Sequence, residues 1–200
     1  MAPPVDTDTK EALRARFRAY RSRLAPDAVA AKSAAIRQRV RALPEVQQAR
    51  TLHAYWPMVD HGEIDTRPLI RSLHDHGVQV VLPVVAKYGK DTPALEHRRY
   101  AGPDALRANR WGIQEPVDTA SVPPDALDVV LVPAFGAGRN GHRIGHGYGY
   151  YDAFLSALDV PTIALVYDDC LIEAIPADAH DVPVSIIVTD RCTVRPPADA

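Results

Sequence analysis

Residues Gly141 to Asp152, read as Gly-His-Arg-Ile-Gly-His-Gly-Tyr-Gly-Tyr-Tyr-Asp, concentrate four glycines, one arginine and three tyrosines before a terminal aspartate. Such a loop suits a phosphate. Glycines let backbone N–H groups approach an anion, and a helix starting at the loop's end adds a favourable dipole. Arg143 can pair bidentately with phosphate oxygens. Tyr148, Tyr150 and Tyr151 offer flat faces to a ring system. Asp152 has two readings: a cap for the helix that begins there, or a carboxylate ligand for Mg²⁺ carried in with nucleotide phosphates. The glycines alternate singly and no Gly-Lys-Ser/Thr ending follows, which excludes the Walker A and Rossmann fingerprints. A plain flexible turn is the competing reading of the glycines alone.

A second cluster lies near the N-terminus. Lys10, Arg14, Arg16, Arg18, Arg21 and Arg23 face a single acid, Glu11. Lys10 and Arg14, one helical turn apart, can point at one phosphate chain, whereas Arg16, Arg21 and Arg23 read as a solvated cationic face. Nucleic-acid binding needs a broader basic surface and predicts steep salt dependence. The net charge of −2 gives it no support. Taken alone, Glu63 reads as a surface or capping acid, and Trp56 and Trp111 as core. The eight histidines show no zinc spacing. Cys170 and Cys192 show neither metal nor redox spacing, which fits a reducing compartment. No apolar signal core or bilayer-length run occurs, so a cytoplasmic protein with no membrane role is expected.

These residues need a scaffold. The pattern predicts a helix from near Asp8, capped with Glu11, whose apolar stripe is Leu13, Phe17, Tyr20 and Leu24. A second helix is expected over 27–43, between Pro26 and Pro44. A third is expected from a Thr66 cap to about His76, with Gly77 as its stop. Strands are expected at 51–56, at 78–82 ending at Pro83, at 93–100, 127–132, 162–167 and 184–189, with a helix at 150–158. Residues 102–124 read as an excursion. Strands apolar on both faces, alternating with helices, imply a mainly parallel sheet covered on both sides. Ligands of such sheets sit at the C-terminal strand ends, where the glycine loop lies. One domain spanning 1–200 is expected, with 1–7 and 195–200 as disordered tails.

The loop, with Val132-Pro133-Ala134-Phe135 before it, resembles the signature of the 5-formyltetrahydrofolate cyclo-ligase family, also called 5,10-methenyltetrahydrofolate synthetases. Further segments match the family in order: Lys10-Glu11-Ala12-Leu13-Arg14, Trp56 through Glu63-Ile64-Asp65-Thr66, Trp111-Gly112-Ile113-Gln114-Glu115-Pro116, Leu127 to Pro133, and His180-Asp181-Val182-Pro183 with Val188-Thr189. The resemblance implies a three-layer αβα, Rossmann-like fold of the sugar-phosphate isomerase/CoA-transferase type. It also implies ATP- and Mg²⁺-dependent closure of 5-formyltetrahydrofolate to 5,10-methenyltetrahydrofolate, with release of ADP and phosphate.

Carried over, Lys10, Arg14 and Arg143 are the catalytic cations. They bind ATP together with Ile144, Gly145, His146, Gly147, Tyr148, Gly149, Tyr150 and Tyr151. Trp56, Glu63, Trp111 and the stretch His146 to Tyr150 contact the reduced folate, and Asp152 and Asp181 hold Mg²⁺. The partners implied are these small molecules, with no nucleic acid and no membrane, in a monomer or homodimer. The alternatives are a non-catalytic nucleotide- or folate-binding protein of this fold, or an ATP-dependent enzyme acting on another formyl or amide substrate.

Three departures from the family pattern stand out. Gly136 follows Phe135 where an Asp is usual, and the loop to Arg143 is two residues longer, which predicts a mobile tip at 136–140. Tyr148 occupies a position usually held by Gly or a basic residue, where it would narrow the phosphate channel or stack on the ligand. His61-Gly62 lengthens the segment between Met58 and Glu63, so the placing of Glu63 depends on that loop.

Overall fold

The computed structural model describes residues 9–87 and 94–197. The chain opens with helices α1 (Lys10–Arg23) and α2 (Pro26–Ala42) and the single turn α3 (Pro44–Gln47). Pro26 and Pro44 sit in first turns, where a missing N–H breaks no helical bond. Thr9 caps α1 through its Oγ1, which accepts from the Ala12 N–H at 3.2 Å. That replaces the expected capping box with Glu11. Asp8 and residues 1–7 lie outside the described residues, as do 198–200 of the expected C-terminal tail. Arg195 of that tail pairs with Glu45 at 2.8 Å.

There follow β1 (Thr51–His53), α4 (Arg67–Asp75), β2 (Gln79–Lys87), β3 (Ala94–Arg99), β4 (Leu106–Ala108), β5 (Gln114–Pro116), β6 (Val129–Pro133), β7 (Gly136–Gly138), β8 (Arg143–Ile144), α5 (Tyr150–Leu155), β9 (Thr162–Leu165), β10 (Leu171–Ile172), β11 (Ile186–Val188) and β12 (Thr193–Val194). The main sheet has the order β12-β11-β9-β6-β1-β2-β3. Its inner pairs are parallel, and antiparallel β3 and β12 close the two edges.

Alternation along the strands builds two cores. Leu52, Val80, Leu82, Val129, Leu131, Ile163 and Leu165 pack with Leu13 and Phe17 of α1, Ile36 and Val40 of α2, and Leu69 and Ile70 of α4. Val81, Val130, Val132, Ala164 and Ile187 face the other way, onto Phe154 and Leu155 of α5. Among the described residues, helices α1 to α4 cover one face and the short α5 the other, an uneven αβα sandwich. The chain passes from β1 outward to β2 and later returns on the opposite side of β1 as β6. The order therefore reverses between β1 and β6, and a crevice opens beyond their C-terminal ends.

Several expectations are corrected. β2 does not stop at Pro83 but runs to Lys87. Its neighbour β1 ends opposite Val81, so the missing Pro83 N–H breaks no rung to it. Thr66 stands at the start of α4 but does not cap it, because its hydroxyl donates to the Tyr55 carbonyl at 2.7 Å. The segment 136–140 is not a loose tip. Gly136–Gly138 is a buried strand pairing with β8 and β10, and Asn140 exchanges two hydrogen bonds with the Ile175 backbone. A Cβ on Gly136 would lie 2.4 Å from the Phe17 ring, so glycine is what lets α1 close on this small sheet.

Candidate functional site

Past the ends of β1 and β6 lies a cleft of about 1420 Å³, lined by α1, the 55–65 segment, the β4–β5 hairpin, the glycine loop and the 178–181 turn. A pocket for one drug-sized ligand is usually about 300–1,000 Å³, so this cleft has room for two.

One end is cationic and carboxylate-rich. The Arg14 Nε donates to the Gly145 carbonyl at 2.8 Å, and a Cβ on Gly147 would lie 3.3 Å from the Arg14 guanidinium. Glycine thus lets the loop rest on Arg14. Lys10 bridges Asp178, at 2.6 Å, and Asp181. Burial works against the Lys10 charge, but these two carboxylates outweigh it and raise the pKa of the lysine. Burial likewise opposes ionisation of Asp181, and the Lys10 contact reverses that, holding the acid below its ordinary value.

Arg143, expected on phosphate, is engaged with the protein. Its guanidinium is buried, donates to Asp152 at 2.9 Å and also donates to the Val182 carbonyl. Burial lowers its pKa despite Asp152, yet an arginine has so high a starting value that it stays charged. Asp152 does not cap α5, whose N-cap is Gly149 at φ 77°. It accepts instead from Arg143 and from the Val182 N–H at 3.2 Å. Asp152 and Asp181 therefore flank the same turn. Asp178, His180 and Asp181 bring one ligand atom each within 4.8 Å of one another, the one such group among the described residues. Carboxylate oxygens are the hard donors Mg²⁺ takes. Nothing in the sequence reading pointed to Asp178. Its spacing, i to i+3 before Asp181, was the available signal.

The other end is aromatic around one buried acid. The added His61-Gly62 closes a 3-10 turn: the His61 and Glu63 N–H groups reach the Met58 carbonyl, and the Gly62 N–H reaches Val59. Glu63 is then 6 % exposed and accepts from the Met58 N–H at 2.8 Å. Arg21 Nη1 lies 3.7 Å from its Oε1 and His146 Nε2 3.9 Å from it. Burial raises the pKa of this carboxyl, but His146, Arg21 and the Met58 N–H outweigh it, so Glu63 is held below the usual value.

Arg21 corrects the reading of a solvated face. It is 4 % exposed, donates to the Ala134 carbonyl and stacks over the Phe135 ring at 4.6 Å. Arg16 and Arg23 are exposed as expected. The Phe135 ring also meets Arg18 at 5.2 Å and His146 at 4.7 Å.

Trp111 corrects the core reading, being 39 % exposed at the cleft mouth. It stacks on Tyr148 with centroids 5.9 Å apart, and Tyr150 meets it edge-on. Tyr148 therefore narrows the mouth by closing on the hairpin. Asn109 holds that hairpin: its Oδ1 accepts from the Trp111 and Ile113 N–H groups, while its Nδ2 donates to the buried Glu115. Trp56 packs on Tyr100 at 5.8 Å and lines the cleft. Every sequence-derived site residue thus borders one cleft.

Residues 6–190 match a sequence model of the 5-formyltetrahydrofolate cyclo-ligase family. A 5-formyltetrahydrofolate cyclo-ligase of Mycolicibacterium smegmatis is 35% identical over 148 residues, 71% of this chain and 74% of that one. One from Escherichia coli K12 is 34% identical over 176 residues, 77% of this chain and 96% of the relative. The solution structure of Aquifex aeolicus 5,10-methenyltetrahydrofolate synthetase superposes with a TM-score of 0.82 at 28% identity, covering 93% of this chain and 92% of the other.

Proposed function

The chain belongs to the 5-formyltetrahydrofolate cyclo-ligase family, and we propose on that premise that it closes 5-formyltetrahydrofolate to 5,10-methenyltetrahydrofolate at the expense of ATP. The observation that carries the reading is the two-ended cleft, with cations and carboxylates at one end and a buried carboxylate among aromatics at the other.

A formamide carbon is a poor electrophile, and its oxygen a poor leaving group. Transfer of the γ-phosphoryl group to the formyl oxygen, with release of ADP, corrects both. N10 of the same folate then attacks that carbon and loses its proton, the C–O bond breaks, and phosphate departs to leave the cationic methenyl bridge. Each atom that reacts belongs to a ligand, so the protein's part is positioning and charge neutralisation. Lys10 and Arg14, on one face of α1, lie along the phosphate end, where Arg14 also fixes the glycine loop. Arg143 holds Asp152 through an ion pair in the cleft wall. Asp152 and Asp181 are the residues that would hold Mg²⁺, which supplies further neutralisation of the phosphates when bound. Glu63 and the aromatics Trp56, Trp111 and Tyr148 suit a pterin and an aminobenzoyl ring.

The test is the ultraviolet absorbance of methenyltetrahydrofolate after mixing protein, ATP, Mg²⁺ and 5-formyltetrahydrofolate. Product formation that requires ATP is expected. Folded protein that gives no ATP-dependent signal would overturn the assignment.

A further inference from the structure

Arg21 is an arginine where arginines are rarely found, 4 % exposed on the inner face of a surface helix. Packing does not require it, since an apolar side chain would fill the same space without a charge to desolvate. Its partners point toward the site. It donates to the carbonyl of Ala134, at the end of β6, lies over Phe135 and faces Glu63 Oε1 at 3.7 Å. Its Nε is buried with no partner. The backbone holds the same register. A Cβ on Gly62 would lie 2.8 Å from the Arg21 carbonyl oxygen, so the turn carrying Glu63 is pressed directly against α1.

Glu63 uses one oxygen on the Met58 N–H, and the other lies 3.7 Å from Arg21 Nη1 and 3.9 Å from His146 Nε2. A carboxylate accepts about four hydrogen bonds, so acceptor capacity remains on the cleft side. The 2-amino-4-oxo edge of a pterin presents two parallel N–H donors, the pattern a carboxylate meets bidentately.

We propose that Arg21 is a positioning residue that holds the Glu63 carboxylate charged and aimed into the cleft as the acceptor for that pterin edge. This rests on the folate reading above. The groups facing Glu63 are Arg21 from α1, His146 from the glycine loop, and the phenols Tyr55, Tyr151 and Tyr167. Only Arg21 is both permanently charged and buried. His146 is half-exposed.

The experiment compares Arg21→Met, Arg21→Lys and His146→Gln by steady-state kinetics across pH, with circular dichroism as the check on folding. Arg21→Met is expected to raise the KM for 5-formyltetrahydrofolate by about ten- to hundredfold and leave the KM for ATP near that of the wild type. The acid limb of the folate kcat/KM should move up by about one pH unit or more, as Glu63 takes a proton more easily. Arg21→Lys should restore part of both. A folded Arg21→Met with an unmoved acid limb overturns the proposal, as does a limb that moves only in His146→Gln. If Arg21→Met does not fold, Arg21→Lys alone decides: a smaller shift in the same direction supports the role, and no shift overturns it. Wild-type protein without turnover would instead sink the folate reading itself.

Discussion

Two groups of polar side chains are buried on opposite faces of the main sheet, and their environments differ. On the α1 side, Glu63 and Arg21 form a buried charged pair, with the half-exposed His146 beside the same carboxylate oxygen. On the α5 side, His53, His97 and Tyr151 surround Phe154 with no charge among them. Neither ring nitrogen of His53, nor Nδ1 of His97, nor the Tyr151 hydroxyl has a partner. Burial, with the neighbouring His97, pushes the His53 pKa far down, and burial pushes His97 down to about 4. The pairing of the first set costs desolvation twice over but keeps a carboxylate ionised next to the cleft. The second set stays neutral and serves no charge. The difference separates an ionised cluster beside the cleft, the one proposed to meet a ligand, from a neutral one tolerated by the core.

Glu63→Gln puts the greatest strain on this contrast. It replaces an acceptor with a group that is half donor, facing the two N–H groups of the proposed pterin contact, and it leaves Arg21 buried without its counter-charge. Removing one partner of a buried pair costs about 3–5 kcal/mol, so the melting temperature should fall by roughly 10 °C for a chain of this size. The folate kcat/KM should drop by at least about a hundredfold. A variant that melts and turns over like the wild type would mean that the charged cluster is as dispensable as the neutral one.

Acid separates the two clusters next. A histidine with a lowered folded pKa takes protons more readily when unfolded. His53 and His97 therefore weaken the fold as pH falls from about 6.5 to about 4, and stability rises with pH across that window. Glu63 behaves in the other way. Its folded pKa is lowered, so its contribution is intact above the ordinary carboxylate value of about 4.3 and is lost only below it. Melting temperature against pH should thus fall in two stages. His53→Leu should flatten the upper stage and leave stability at neutral pH unchanged or raised, because it removes two unsatisfied nitrogens. A loss of stability in His53→Leu at neutral pH would show that unseen partners, such as ordered water, satisfy the ring.

Arg21 and His53, one from each cluster, escaped the sequence for the same reason. Pro26 and Pro44 mark the bounds of α2 within a residue or so, and the glycine loop stands out because its residue types are unusual in themselves. Arg21 and His53 are common types on elements that were correctly anticipated, and their direction is decided by distant partners: Glu63 and Ala134 for one, His97 and Phe154 for the other. Arg21 does continue the stripe of Lys10, Arg14 and Arg18 at helical spacing, but residue type alone argues for solvent. The small sheet of β7, β8 and β10 was hidden differently. Strands of two or three residues carry no periodicity, and Gly136 and Gly138 look like loop residues until Phe17 is brought against them.

Tyr151→Phe is the smallest and sharpest probe of the contrast. Tyr151 sits in the glycine loop's helix, where the family pattern would give it to ATP, but its hydroxyl is buried beside His53 without a hydrogen bond. Burial raises the pKa of that phenol strongly, with Glu63 adding to it. A hydroxyl that makes no bond contributes little when lost, whereas one that bonds is worth about 1 kcal/mol and leaves its partner exposed to further cost. The melting temperature of Tyr151→Phe should therefore stay within about 2 °C of the wild type. A larger fall would place a partner on the hydroxyl, joining the two clusters across the end of β1 into one network.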